Sequence, residues 1–260
     1  MLVPFIKMHA QGNDFVILDG FKLKLPPIDY TELAKDMCTY RTGVGADGLV
    51  LLSPRKTAAA QMIIYNSDGT RAEMCGSALR CVSSLMFQKT NKRNLTILTD
   101  SGIKQAEISN GSQSVAVNLG VPKIVSREFS AEGFPGDLVD IGNSHFVIWV
   151  DTLDDNPHLQ WGQAIENNPT FPQPVNVHFA LLQSPEEITI KIWERSCGAT
   201  LACGTGAASC VYSGFQRGIL SNKVKVNMPG GSVQIEVVDS GCILSGEVTN
   251  TFEGTYLWKA

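Results

Sequence analysis

Apolar and polar residues alternate in short runs along this chain far more often than they recur at helical spacing. The β-branched runs 14–19, 61–65, 95–99, 114–119, 188–193, 223–228 and 232–238 predict strands, several of them alternating. Three segments predict helices: Thr31 to Tyr40 with Thr31 as N-cap, about Gly76 to Gln88, and about Gly204 to Gln216. In the second, Leu79, Val82 and Met86 recur at helical spacing, so one apolar face belongs in a core. Pro229-Gly-Gly231 predicts a hairpin turn between two alternating strands. The polar segment Pro122 to Asp137, broken by Pro and Gly, reads as the crossing between two parts of the chain.

The chain also resembles itself. Cys75-Gly-Ser-Ala-Leu-Arg-Cys81 matches Cys203-Gly-Thr-Gly-Ala-Ala-Ser-Cys210, with similar residues following in each case. Gly12-Asn-Asp-Phe-Val-Ile17 matches Gly142-Asn-Ser-His-Phe-Val-Ile148. Both matches are separated by nearly the same interval, close to half the chain, as a duplication requires. The expected organisation is two similar halves, residues 1–122 and 123–248, with an active site in the cleft between them. Each half carries a Gly-Asn strand and, farther on, a Cys-Gly turn that opens a helix.

Composition narrows the class. A 260-residue chain with 43% hydrophobic residues, 18% charged residues and a net charge of -4 has a core to bury and no basic surface for nucleic acid. The first residues carry Lys7 and His9 within their apolar stretch and lack a signal-peptide pattern, and no segment is apolar enough to span a membrane. The expected location is cytoplasmic, where thiols stay reduced. Seven cysteines without a C-x-x-C pair, and four histidines without metal-ligand spacing, argue against a disulfide framework and a structural zinc site.

A cysteine that opens a helix meets unpaired backbone N–H groups and the positive end of the helix dipole, which favour thiolate. The same N–H groups, at Gly76-Ser77 and Gly204-Thr205, suit a carboxylate. Two thiols on opposite faces of one anchored amino acid suit inversion at Cα: one thiolate removes the proton and one thiol returns another. Taken singly, these residues have plainer readings. Asn13 and Asn143 each follow a Gly and fit turns, His145 fits a strand-edge cap, Arg195 beside Glu194 fits a surface ion pair, and Cys38, Cys81, Cys210 and Cys242 fit a core.

In combined order and spacing, the motifs resemble those of the diaminopimelate epimerase family. They are Phe5-Ile-Lys-Met-His-Ala-Gln-Gly-Asn-Asp-Phe15, Gly43-Val-Gly-Ala-Asp47, Tyr65-Asn-Ser-Asp-Gly69, Met74-Cys-Gly76, Gly142-Asn-Ser-His145, Val175-Asn176, Glu194-Arg195, Ala202-Cys-Gly-Thr-Gly206 and Phe252-Glu-Gly254. The resemblance implies an α/β (α+β) fold of two pseudo-symmetric halves, each an antiparallel barrel-like sheet around a central helix, with the last strand, 249–260, returning to join the first half. It also implies interconversion of LL- and meso-diaminopimelate on the route to lysine and peptidoglycan, without pyridoxal phosphate, other cofactor or metal. It makes Cys75 and Cys203 the acid/base pair and His145 and Glu194 the neighbours that set their protonation. Asn13, Asn66, Asn143, Asn176, Glu194 and Arg195 would bind the polar groups of the substrate. Gly76, Ser77, Gly204 and Thr205 would hold the reacting carboxylate. A homodimer involving Phe252 is implied, with no nucleic-acid or membrane partner.

The chain departs from the family at Ser77-Ala78, where the pattern has Asn-Gly, at Ser144 in place of Pro, at Ser196-Cys197 in place of Gly and a small residue, and at Gly48 where many members have Gln. None of these removes an acid or a base. They leave a racemase of another amino acid as the second expectation, and a thiol-redox or ligand-binding protein as a third.

Overall fold

The computed structural model describes residues 1–22, 24–109 and 113–259. The chain divides into two compact units, Met1–Val117 with Gly246–Ala260, and Asn118–Ser245. The division therefore falls a few residues earlier than 122/123, and the return to the first unit precedes residue 249.

The first unit runs β1 (Leu2–Ala10), β2 (Asn13–Asp19), α1 (Tyr30–Cys38), β3 (Gly48–Ser53), β4 (Ala60–Asn66), β5 (Arg71–Ala72), α2 (Gly76–Thr90), β6 (Asn94–Thr99), β7 (Gly102–Ser109) and β8 (Ser114–Asn118). The second begins with an additional strand, β9 (Lys123–Ala131). It then repeats the series as β10 (Phe134–Asp140), β11 (Ser144–Val150), α3 (Pro157–Glu166), β12 (Asn176–Ser184), β13 (Glu187–Glu194), β14 (Gly198–Ala199), α4 (Gly204–Gln216), β15 (Lys223–Met228), β16 (Gly231–Val238) and β17 (Gly241–Glu247). The last strand, β18 (Thr249–Leu257), rejoins the first unit.

Strand pairing repeats too. In the first unit β2 runs parallel to β3 and β4 parallel to β6; in the second, β11 runs parallel to β12 and β13 to β15. The hairpin and meander pairs are antiparallel in both. Even the outer strands correspond: β18 pairs antiparallel with β1, and β9 with β10. The duplication seen in sequence is thus a duplication of topology.

In each unit the second helix is the central one. Every residue of α2 from Gly76 to Met86 is buried, and the helix packs against β1, β2, β4, β6 and β7. Helix α4 is buried from Gly206 to Val211 and packs against β10, β11, β12, β15 and β16. A helix enclosed on all sides needs small residues, and both segments supply them, as Ser77, Ala78, Ser83 and Ser84 and as Gly206, Ala207, Ala208 and Ser209. The other helix of each unit covers the outer face of the sheet. Leu33, Ala34 and Met37 of α1 join a core with Val16, Leu18, Leu49, Leu51 and Trp258. Ile165 of α3 joins Phe146, Phe171 and Phe179.

Local chemistry displaces several expectations. Helix α1 is capped by Asp29, whose carboxylate accepts the Thr31 N–H at 2.9 Å, so the cap lies two residues before Thr31. Helix α3 has no counterpart among the expected helices, although Asn156-Pro157 is a start signal with Pro at the first helical position. The expected crossing at 122–137 is instead the β9–β10 hairpin, whose turn at Glu132 and Gly133 has φ of 52° and 81°. Pro135 and Gly136 enter β10 beside a register shift, where a missing N–H and a bend are tolerated. The Pro229-Gly230 turn closes β15 on β16 as expected, with Met228 opposite Gly231.

Candidate active site

The two Cys-Gly turns have nearly the same backbone. Cys75 is the N-cap residue of α2 with φ -140° and ψ 122°, and Cys203 is the N-cap residue of α4 with φ -135° and ψ 108°. Each sulfur-bearing residue is therefore extended while the next residue is already helical, which leaves the first-turn N–H groups without helix carbonyls. Gly76-Ser77 and Gly204-Thr205 form those first turns.

In the second unit the surroundings of Cys203 are closed. It is 5% exposed, and its Sγ accepts the Gly206 N–H at 3.3 Å and lies 3.6 Å from Thr205 Oγ1. Glu194, the last residue of β13, is hydrogen-bonded to the thiol and accepts from Thr200 Oγ1 at 2.6 Å. Burial, followed by the negative charge of Glu194, pushes the Cys203 thiol well above its ordinary range, against the Thr205 and Gly206 donors. Burial also raises Glu194, against its hydrogen bonds from Thr200 and Cys203. The helix N-terminus alone favours a thiolate. Desolvation and a neighbouring carboxylate oppose it, and the net direction for Cys203 is toward the thiol.

Beside this pair lies a chain of polar side chains. His145, at the start of β11 and fully buried, places Nε2 2.9 Å from Asn143 Oδ1 and Nδ1 2.8 Å from His178 Nε2. Burial, then the charges of His178 and Arg195, lowers His145 well below the usual histidine range; burial alone lowers His178 to about 3. Both rings are neutral at physiological pH. Sequence assigns His178 no role, although Gly206 carries a signal of it. A Cβ at Gly206 would overlap His178 Cε1, so the imidazole occupies the space that glycine leaves.

Asn176 opens β12 opposite His145 and joins two neighbouring strand ends: its Nδ2 donates to Ser144 O at 2.9 Å and its Oδ1 accepts the Arg195 N–H at 3.1 Å. The Arg195 side chain is exposed. Its turn is held from behind by Glu166 of α3, which accepts from the Ser196 N–H and Trp193 Nε1, both at 2.8 Å. Glu166 is a positioning residue that sequence does not mark, because the helix carrying it has so weak a pattern. Thus Asn143, His145, Asn176, Glu194, Arg195, Cys203, Gly204 and Thr205 all belong to the second unit.

The first unit carries Asn13, Asn66, Cys75, Gly76 and Ser77. Asn13 closes the β1–β2 turn opposite Ala10, and its Oδ1 is buried with no hydrogen-bond partner. Gln11 Oε1, from the same turn, is likewise buried and unpartnered. Asn66 is exposed at the end of β4, donating to Thr70 Oγ1 at 3.0 Å. The Gly43-to-Asp47 segment caps α1: the Val44 and Gly45 N–H groups donate to Met37 O, and that of Ala46 to Cys38 O. Arg80, three residues beyond Ser77, is 1% exposed and reaches Glu247 O at 3.5 Å, with burial lowering it to about 10.

Four other cysteines are core residues. Cys38, Cys81, Cys210 and Cys242 are buried, and burial raises all four thiols, to about 12 for Cys38, Cys81 and Cys242. One ligating atom each of His145, His178 and Cys203 lie within 4.8 Å of one another. Both ring nitrogens of His145 are engaged in hydrogen bonds, to Asn143 and to His178, while Cys203 is bonded to Thr205, Gly206 and Glu194, so the His145 ring has no nitrogen left for a cation. No helix among the described residues is long and apolar enough to cross a membrane.

A family model described as diaminopimelate epimerase matches residues 5–125 and 138–250, taking in both capping cysteines and both Gly-Asn turns. The chain belongs to the diaminopimelate epimerase family. The diaminopimelate epimerase of Carboxydothermus hydrogenoformans is 40% identical over 98% of this chain and 99% of its own length. That of Halothermothrix orenii is 37% identical over 98% of each. Among solved structures, a phenazine biosynthesis protein of the PhzF family from Bacillus anthracis has a TM-score of 0.78 at 13% identity, covering 99% of this chain and 100% of that one. A hydroxyproline epimerase from Agrobacterium vitis has a TM-score of 0.73 at 14% identity, covering 98% of this chain and 92% of its own. These distant likenesses speak for the two-unit architecture of the family alone, with a central helix in each unit.

Proposed function

We propose that the protein is a cofactor-independent isomerase that interconverts LL- and meso-2,6-diaminopimelate in the formation of lysine and peptidoglycan precursors. The observation that carries this reading is the repeated turn: one cysteine per unit caps a buried central helix, followed by Gly and a hydroxyl residue. Full-length likeness to proteins named diaminopimelate epimerase supports the substrate.

In the proposed reaction one thiolate removes the α-proton from one face and the opposite thiol gives a proton to the other. The thiols thereby exchange protonation states, and the reverse reaction exchanges them back. Cys203, held as a thiol by burial and Glu194, starts as the acid in the direction for which Cys75 is the base. First-turn N–H groups at Gly76-Ser77 and Gly204-Thr205 take the reacting carboxylate and stabilise the charge that develops at Cα. Asn13 and Asn143 take polar groups near the reacting centre; Asn66, Asn176, Glu194 and Arg195 serve the distal zwitterion. The enzyme works in the cytoplasm as a homodimer, and β18, with Phe252 47% exposed and edge-on to Phe5, is the proposed contact.

A racemase of another amino acid is the second reading, favoured by Ser77-Ala78 in the buried first turn of α2. Incubation with LL-diaminopimelate in deuterated water separates the two. Deuterium at Cα with formation of the meso isomer is expected. Deuteration of a different amino acid alone selects the second reading, and no deuteration of any leaves a redox or binding protein.

A further inference from the structure

We propose that His178 is a positioning residue: by donating its Nε2–H to His145, it fixes the His145 tautomer that turns the Asn143 amide N–H2 group toward a substrate carboxylate. The identity of that carboxylate rests on the amino-acid epimerase reading above; the tautomer does not.

The hydrogen bonds allow one sequence of protons. Asn143 Oδ1 has no proton to give, so His145 Nε2, 2.9 Å away, carries one and donates it. A neutral His145 then has a bare Nδ1, and the proton in the 2.8 Å contact with His178 belongs to His178 Nε2. A neutral His178 in turn has a bare Nδ1, which is buried with no hydrogen-bond partner. Such an orphaned acceptor disfavours folding, so the ring is not placed there for stability alone. It is held in that position by the parallel β11–β12 pairing, in which Val147 lies opposite His178, and by the gap in α4 that Gly206 leaves for the ring.

The chain of hydrogen bonds ends where a ligand would begin. With Oδ1 committed to His145, Asn143 presents two N–H donors from a half-buried position beside Gly142, whose φ of 99° sets the turn. Two donors suit a carboxylate, whereas a carbonyl oxygen in their place would repel it. Without a donor at position 178, His145 is free to move its proton to Nδ1 and accept at Nε2. Asn143 then rotates its amide to donate to His145 and turns its oxygen outward. His178 thus acts on the ligand through two intervening side chains and touches neither substrate nor reacting atoms.

Nitrogen-15 NMR of the unliganded, labelled wild-type protein reads the tautomers directly. The expected result is protonated Nε2 and bare Nδ1 on both His145 and His178; protonation of His145 at Nδ1 overturns the proposal. Two variants test the consequence. His178→Leu removes the donor and should raise KM for diaminopimelate about tenfold or more with kcat changed less than about threefold. His178→Gln, which retains an N–H near the same point, should restore KM to within about threefold of wild type. Equal effects of Leu and Gln, or a loss confined to kcat, also overturn it. If wild type does not turn over diaminopimelate, the epimerase reading fails while the tautomer measurement still decides the hydrogen-bond chain.

Discussion

The Cys203 thiol is hydrogen-bonded to Glu194 inside the second unit, and the same burial pushes both groups toward their protonated forms. Negative charge on Glu194 adds to burial in raising the Cys203 thiol. In the proposed two-base exchange, this environment favours Cys203 as the proton donor of the starting state.

Glu194→Gln removes that charge while keeping the side chain's size. Cys203 should then ionise at lower pH, so that alkylation by iodoacetamide at a fixed pH near 8 quickens about tenfold, equivalent to about 1.4 kcal/mol in favour of the thiolate. Mass mapping of the labelled peptide across a pH series measures it. An unmoved midpoint would mean that burial alone protects the thiol.

Replacing either capping cysteine should stop inversion. Cys75→Ala and Cys203→Ala each remove one of two proton-transfer groups, a loss of about 100- to 10,000-fold in kcat. Circular dichroism should show both variants folded, since each side chain is small. Full activity in either variant would remove that cysteine from the mechanism.

Two buried neutral imidazoles make the fold sensitive to acid. His178 is lowered to about 3 and His145 lies well below its usual range, while the unfolded chain takes up these protons at about pH 6.5. Their stability contribution is therefore complete above about pH 6.5 and is lost as pH falls toward about 3, His178 alone contributing a slope approaching about 1.4 kcal/mol per pH unit. Urea unfolding from pH 7 to 5 should show this slope in wild type and a flatter one in His178→Gln. Identical slopes would show that His178 takes up no proton on unfolding.

Gly206 and Gly204 occupy the same helical turn but differ in what a methyl group would meet. At Gly206 the Cβ would overlap the His178 ring; at Gly204 its nearest neighbour is Leu244 Cδ1 at 3.0 Å. Gly206→Ala should cost about 1–3 kcal/mol despite the better helix propensity of alanine, whereas Gly204→Ala should change stability by less than about 1 kcal/mol. Thermal unfolding of the two variants gives the comparison, and equal midpoints would show that His178 yields without strain.

Elements marked by their own residues are readable before folding. The Pro229-Gly230 turn, the alternating β15 and the periodic Leu79, Val82 and Met86 each carry a short-range signal. Pro135-Gly136 carries a misleading one, because turn-forming residues also fit a strand at a register shift. Helix α3 shows only a weak apolar stripe, with Ile165 and Gly162 buried and Leu159 and Trp161 more exposed, so periodicity does not reveal it.

Sequence by itself determined the duplication and the two Cys-Gly helix starts. Repeated order and capping chemistry are properties of neighbouring residues, so they survive without coordinates. Only the tertiary structure decided that burial and Glu194 raise the Cys203 thiol, that His145 and His178 meet in a buried hydrogen bond, and that Asp29 rather than Thr31 caps α1. Protonation depends on desolvation and on charges brought close by distant segments, as Glu194, His145 and His178 are brought to the N-terminus of α4 by β13, β11 and β12. No local pattern encodes those distances, because the strands that set them are joined only by folding.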